Sequence, residues 1–164
     1  MINVLFVCLG NICRSPMAEA LFRSKLEEKG LTDKITVDSA GTGDFHIGKE
    51  PHEGTRALLD KKDISYEGML ARQVQEGDWS KFDYIIAMDE QNMTDLRRIN
   101  SETDDVYIAK LMDFVDEPSD INVPDPYYTG DFDYTYELVS EGCEALLDFI
   151  MKKYSIHKGE NVNG

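Results

Sequence analysis

Two periodicities alternate along this chain. Short apolar runs at Asn3–Val7, Ile35–Ser39, Asp83–Ala87 and Val106–Ala109 read as strands. They are rich in β-branched and aromatic residues and bounded by polar ones, the pattern of a strand buried on both faces. Between and after them, apolar positions recur at helical spacing. Met17/Leu21 and Ala18/Phe22/Leu26 predict a helix over Pro16–Lys29, and similar stripes predict helices over Pro51–Lys62, Glu90–Asn100 and Tyr134–Tyr154. The last stripe runs Val139, Cys143, Leu146, Leu147, Ile150 and Tyr154, so Cys143 reads as core filling.

Strands alternating with helices predict an α/β fold, a parallel sheet covered by helices on both faces. No repeat or low-complexity tract interrupts the pattern, and 164 residues suffice for one sizeable core. A single domain over residues 1–155 is expected, with residues 156–164 a polar, fraying tail. In open sheets of this kind ligands bind beyond the carboxyl ends of the strands. Cys8, Ser39-Ala40-Gly41 and Met88-Asp89 all fall there.

The chemistry is concentrated after the first strand, in Cys8-Leu9-Gly10-Asn11-Ile12-Cys13-Arg14-Ser15-Pro16. Ser15 suits a helix N-cap and Pro16 the first helical position. A loop that joins a strand to a helix N-terminus aims its backbone N–H groups at one spot and cradles an anion. Gly10 and Asn11 are residue types that tolerate the positive φ of such a curl. Arg14 can hold two phosphate oxygens at once. Cys8, at the base of the cradle, is the candidate nucleophile, because amides, a helix N-terminus and an arginine all favour a thiolate. Cys13 is open to two readings. It is either a small residue packed under the loop or a resolving thiol for oxidised Cys8, since a loop curled around an anion brings the two sulfurs together.

The run Val7–Pro16 resembles the signature of the low-molecular-weight protein tyrosine phosphatases. Asp38-Ser39-Ala40-Gly41-Thr42 resembles the family's second-strand segment. Ala71-Arg72-Gln73 and Phe82–Asp89 resemble its third-strand region, and Asp125-Pro126-Tyr127-Tyr128 its general-acid loop. Four motifs in this order cover most of the chain. The resemblance implies a three-layer fold with four parallel strands in order 2-1-3-4. It implies Cys8 as nucleophile, Arg14 as transition-state clamp and Asp125 as general acid and base. Residues Leu9, Gly10, Asn11, Ile12 and Cys13 would bind the phosphate, and Phe45, Tyr127 and Tyr128 would wall the pocket. Ser15 and Ser39 match hydroxyls that support the loop and the thiolate, although cap and strand-end roles would serve them equally. Asp38 and Arg72 match a bracing ion pair, alternatively a plain surface pair. Met69 stands where some relatives carry a histidine behind the loop, so that support is absent or replaced.

Asp125 has its own logic. A leaving phenolate needs a proton, and a carboxylic acid beside it supplies one before activating the water of the second step. Pro124 and Pro126 stiffen its loop, and the two tyrosines offer faces on which an aromatic ester can stack. The expected substrate is therefore a phosphotyrosine protein or a small aryl phosphate, with inorganic phosphate as product or inhibitor.

Composition removes other classes. The net charge is -15, and residues 89–151 carry 17 acidic and 3 basic side chains. Such a field repels nucleic acid and anionic membrane, so neither is an expected partner. No basic segment precedes the first apolar run and no stretch approaches the roughly 20 apolar residues of a membrane span, so neither leader nor anchor is expected. Three cysteines argue against a disulfide framework and fit a reducing cytoplasm. No cofactor and no metal are expected. His46, His52 and His157 lack ligand spacing. Gly41-Thr42-Gly43 puts His46 where a dinucleotide fingerprint needs its third glycine. Asp131-Phe132-Asp133 puts Tyr136 where a calcium loop needs one. Two rivals share the anion loop. An arsenate reductase would need a relay of nearby thiols, and a non-catalytic phosphate-binding module would need no acid at Asp125.

Overall fold

The computed structural model describes residues 1–100 and 105–157. Four strands, β1 (Ile2–Cys8), β2 (Ile35–Gly41), β3 (Tyr84–Ala87) and β4 (Tyr107–Lys110), form one parallel sheet in order β2-β1-β3-β4. This is the order implied by the resemblance. Each predicted strand is present, shifted or extended by one or two residues.

β1 shows why the sheet needs two helical layers. Val4, Phe6 and Cys8 face one core with Tyr84 and Ile86 of β3, while Leu5 and Val7 face the other with Ile85 and Ala87. The first face is covered by α1 (Arg14–Glu28), α2 (Glu53–Lys61) and α6 (Phe132–Lys153). The second is covered by α3 (Asp78–Lys81) and α4 (Glu90–Ile99), through Trp79, Phe82 and Leu96. Cys143 is fully buried on the predicted stripe, but Tyr154 at its end is 42% exposed.

Three short elements escaped the periodicity. They are α3, a 3-10 turn at Leu111–Phe114 and α5 (Pro126–Thr129), each four residues long. A single turn has no period to detect. Of the tail, residues 158–164 lie outside the described residues. Ile156 packs on the main core, and its amide donates to the Met151 carbonyl at 2.8 Å.

Candidate active site

The strand-to-helix junction after β1 closes as a curl around the Cys8 sulfur. Asn11 takes φ +56°, the left-handed conformation that asparagine tolerates, and turns its amide to donate to Cys8 Sγ at 3.3 Å. Ser15 Oγ lies 3.0 Å from the same sulfur. Contrary to expectation, Ser15 is no N-cap. α1 begins at Arg14 after Cys13, with no side-chain cap, because the Ser15 hydroxyl is engaged inside the curl. The end of β2 presses on the loop, Thr42 N donating to the Cys8 carbonyl and Gly43 N to that of Leu9, both at 2.9 Å. A Cβ at Gly41 would stand 2.7 Å from the Leu9 oxygen, so only glycine allows this approach.

Behind the curl, one side chain organises the network. Asn11 Nδ2 donates to Ser15 Oγ at 2.8 Å and to Ser39 Oγ at 3.0 Å, and Asn11 Oδ1 accepts from the Arg72 amide at 2.9 Å. Ser39 Oγ donates to Glu19 Oε1 at 2.6 Å, and Glu19 pairs with Arg23 one turn along α1. Met69 packs against the main core, and Ser39 is secured by the buried Glu19 carboxylate. Arg72 pairs with Asp38 at 3.2 Å and also with Asp78 at 3.1 Å, a three-membered brace where a pair was expected.

Arg14 is 2% exposed. Its Nη1 donates to Asp89 Oδ2 at 2.6 Å and to the Val123 carbonyl at 2.9 Å, and its Nη2 to Asp125 Oδ2 at 3.3 Å. Burial works against the guanidinium charge, but Cys8, Asp125 and Asp89 outweigh it and push the pKa further up. Its Nε is buried with no partner among the described residues, a donor still to be satisfied. Asp125 caps α5, accepting from Tyr127 N at 3.1 Å. Burial first, then the charges of Cys8 and Asp125, push the Cys13 thiol up to about 12.

Cys8, Cys13 and Asp125 open on a cavity of about 250 Å³ lined also by Leu9, Gly10, Ile12, Phe45, His46, Tyr127 and Tyr128; Arg14 lies buried behind this lining. Every expected pocket residue lines it except Asn11, whose side chain points back to Ser15 and Ser39. Phe45 is a wall, 68% exposed. A wider cleft of about 660 Å³ between α1 and residues 63–70 is lined by Glu19, Arg23 and Asp38 among others, and by neither Cys8 nor Arg14.

Sequence reasoning missed Asp89, Glu19, His46 and His52. Glu19 left a trace, a charge set inside the apolar run Met17–Phe22 with Arg23 four residues on. Asp89 falls at the expected carboxyl edge of the sheet, but its pairing with Arg14, 75 residues away, carries no local signal. Among the described residues no group of three or more His, Cys, Asp or Glu is placed to hold a metal ion.

A buried arginine and a thiol that accepts from a loop amide thus meet at the carboxyl edge of a parallel sheet. The family model for low molecular weight phosphotyrosine protein phosphatases matches residues 3–156, and the chain belongs to that family. The chain is 54% identical to the low molecular weight protein-tyrosine-phosphatase YfkJ of Bacillus subtilis over 153 residues, 93% of this chain and 98% of the relative. It is 45% identical to PtpA of Staphylococcus saprophyticus over 158 residues, 96% and 99% of the two chains. The crystal structure of the Bacillus subtilis YfkJ superposes with a TM-score of 0.91, covering 93% of this chain and 96% of that one. The Drosophila arginine phosphatase superposes with a TM-score of 0.84 at 32% identity, covering 91% and 98%.

Proposed function

We propose that this protein hydrolyses phosphotyrosine-type monoesters through a phosphocysteine. The observation that carries the reading is the convergence of Cys8 and Asp125 on one cavity, with the buried Arg14 held against Asp125 through its Nη2. In the first step the Cys8 thiolate attacks phosphorus, the S–P bond forms and the bond to the phenolic oxygen breaks. Asp125 gives its proton to the departing phenolate. In the second step Asp125 takes a proton from water, whose oxygen attacks phosphorus. The S–P bond breaks, inorganic phosphate leaves and the thiolate returns. Arg14 and the loop amides hold the equatorial oxygens and tighten as charge builds in the transition state. A dianionic guest also competes with Asp125 for Arg14 Nη2, releasing the carboxyl toward the leaving group.

The walls favour a flat aromatic ester. Leu9, Ile12, Phe45, Tyr127 and Tyr128 bring apolar and aromatic surface to the mouth. The arsenate-reductase reading loses ground because Cys143 is fully buried in α6, its thiol directed at the Ala18 carbonyl, leaving Cys13 as the sole thiol near Cys8. The non-catalytic reading has no use for a carboxylate at Asp125. Three unpaired thiols suit a cytoplasmic setting.

The test is hydrolysis of p-nitrophenyl phosphate with EDTA present. The wild type is expected to turn over at full rate and Cys8→Ser to be inactive. Asp125→Ala should lose roughly 10²–10⁴ in turnover of phenyl phosphate while still binding vanadate. Equal rates for Cys8→Ser and wild type would end this reading. A comparison of phosphotyrosine, phosphoserine and phosphoarginine peptides sets the substrate class, with phosphotyrosine expected to lead.

A further inference from the structure

α5 is one turn of helix, and a single turn has almost no stability of its own. Yet it carries Asp125 and Tyr127, which must hold still over the nucleophile. Arg14 ties the Asp125 end. The Tyr127 end is tied through a histidine that motif reasoning set aside. His52 caps α2, its Nδ1 accepting from Gly54 N at 3.0 Å, and its amide donates to the Ile12 carbonyl of the anion loop at 2.7 Å. Its ring stacks on Phe132, the first residue of α6, with centroids 5.1 Å apart and planes at 23°. On Tyr127 the same ring makes an edge contact, 5.8 Å between centroids at 76°. Phe132 can sit there because Gly54 has no side chain; a Cβ at that position would lie 2.5 Å from its ring. Phe132 also packs on Ile12, Cys13 and Ala71 beneath the loop.

We propose that His52 is a positioning residue for the phosphatase reaction: it braces the Tyr127 wall against the anion loop and α6, and so holds Asp125 over the leaving group. The proposal rests on the function proposed above. His52 has two separable duties, a cap by its Nδ1 and a brace by its ring, and two substitutions divide them. Asparagine caps helices well but carries no ring, whereas phenylalanine carries the ring and cannot cap.

The experiment measures kcat/KM for phenyl phosphate and p-nitrophenyl phosphate, vanadate inhibition and Tm in wild type, His52→Asn and His52→Phe. His52→Asn should keep its vanadate affinity and lose no more Tm than His52→Phe, yet lose about tenfold in kcat/KM for phenyl phosphate, the scale of one or two lost ring contacts. The loss should be smaller for p-nitrophenyl phosphate, whose better leaving group needs the acid less. His52→Phe should keep kcat/KM within about threefold while its Tm falls, because the cap and not the brace is gone. Unchanged kcat/KM for phenyl phosphate in His52→Asn overturns the proposal, as does a loss in both variants that follows Tm or vanadate affinity. A wild type inactive on both esters overturns the function and the brace together, whereas an active wild type with indifferent variants overturns the brace alone.

Discussion

At the level of single residues, the sequence was most informative where neighbours in the chain are neighbours in space. Cys8, Asn11 and Arg14 could be read together because one short curl holds them. Asp89 and Glu19 could not, since the partner that gives each its role arrives from another element. Cys13 shows how far burial decides reactivity. A thiol pushed up to about 12 is almost wholly protonated at neutral pH, so iodoacetamide at pH 7 should modify Cys8 and spare Cys13 and Cys143. A resolving role for Cys13 would require that proton to leave; oxidation of Cys8 to a sulfenic acid removes one of the charges that hold it, and burial, the larger cause, stays. Peroxide should then inactivate the wild type reversibly, with dithiothreitol restoring activity, and Cys13→Ser irreversibly. If Cys13→Ser recovers as fully as wild type, Cys13 is packing alone.

Among elements, the four strands and the longer helices α1, α2, α4 and α6 were legible because each repeats its pattern over several residues. The one-turn helices were not, and α5 in particular hides in Val123-Pro124-Asp125-Pro126-Tyr127-Tyr128-Thr129-Gly130, whose proline, aspartate and glycine compose a loop as readily as a helical turn. The N-terminus of α4 does two jobs at once. Asp89 caps it, Oδ1 accepting from Asn92 N at 2.8 Å, while Oδ2 accepts from Arg14. Asp89→Asn keeps a capping side chain but gives up the charge facing a buried guanidinium, and should cost about 1–3 kcal/mol by urea denaturation. Asp89→Ala loses cap and pair and should cost more, about 3–5 kcal/mol. Equal stability of Asp89→Asn and wild type would mean that the Asp125 and Val123 contacts suffice for Arg14.

Over the whole molecule, the parallel sheet followed from alternation and its strand order from resemblance, while the packing of loops on the site did not, since contacts such as His52 on Phe132 leave no periodic trace. Buried thiols tie the fold to pH. Burial pushes both Cys13 and Cys143 up to about 12, against an ordinary value of 9.0. Above pH 9 the unfolded chain releases these protons while the folded one keeps them, so stability is full below pH 9 and falls between pH 9 and about 12. The slope is about 1.4 kcal/mol per pH unit for each thiol. Urea midpoints from pH 8 to 11 should show this decline, and Cys143→Ala should flatten it; an identical slope in that variant would assign the decline to other groups. The placement of nucleophile and acid has a consequence in time. Cys8 ends a strand paired on both edges and covered on both faces, whose amides should exchange with solvent among the slowest in the domain. Asp125 caps a single turn that leans on Arg14 and His52. On the proposed mechanism, loosening of that turn would withdraw the carboxyl while Cys8 stays on its strand, so under mild heat or denaturant activity should fade before the fold does.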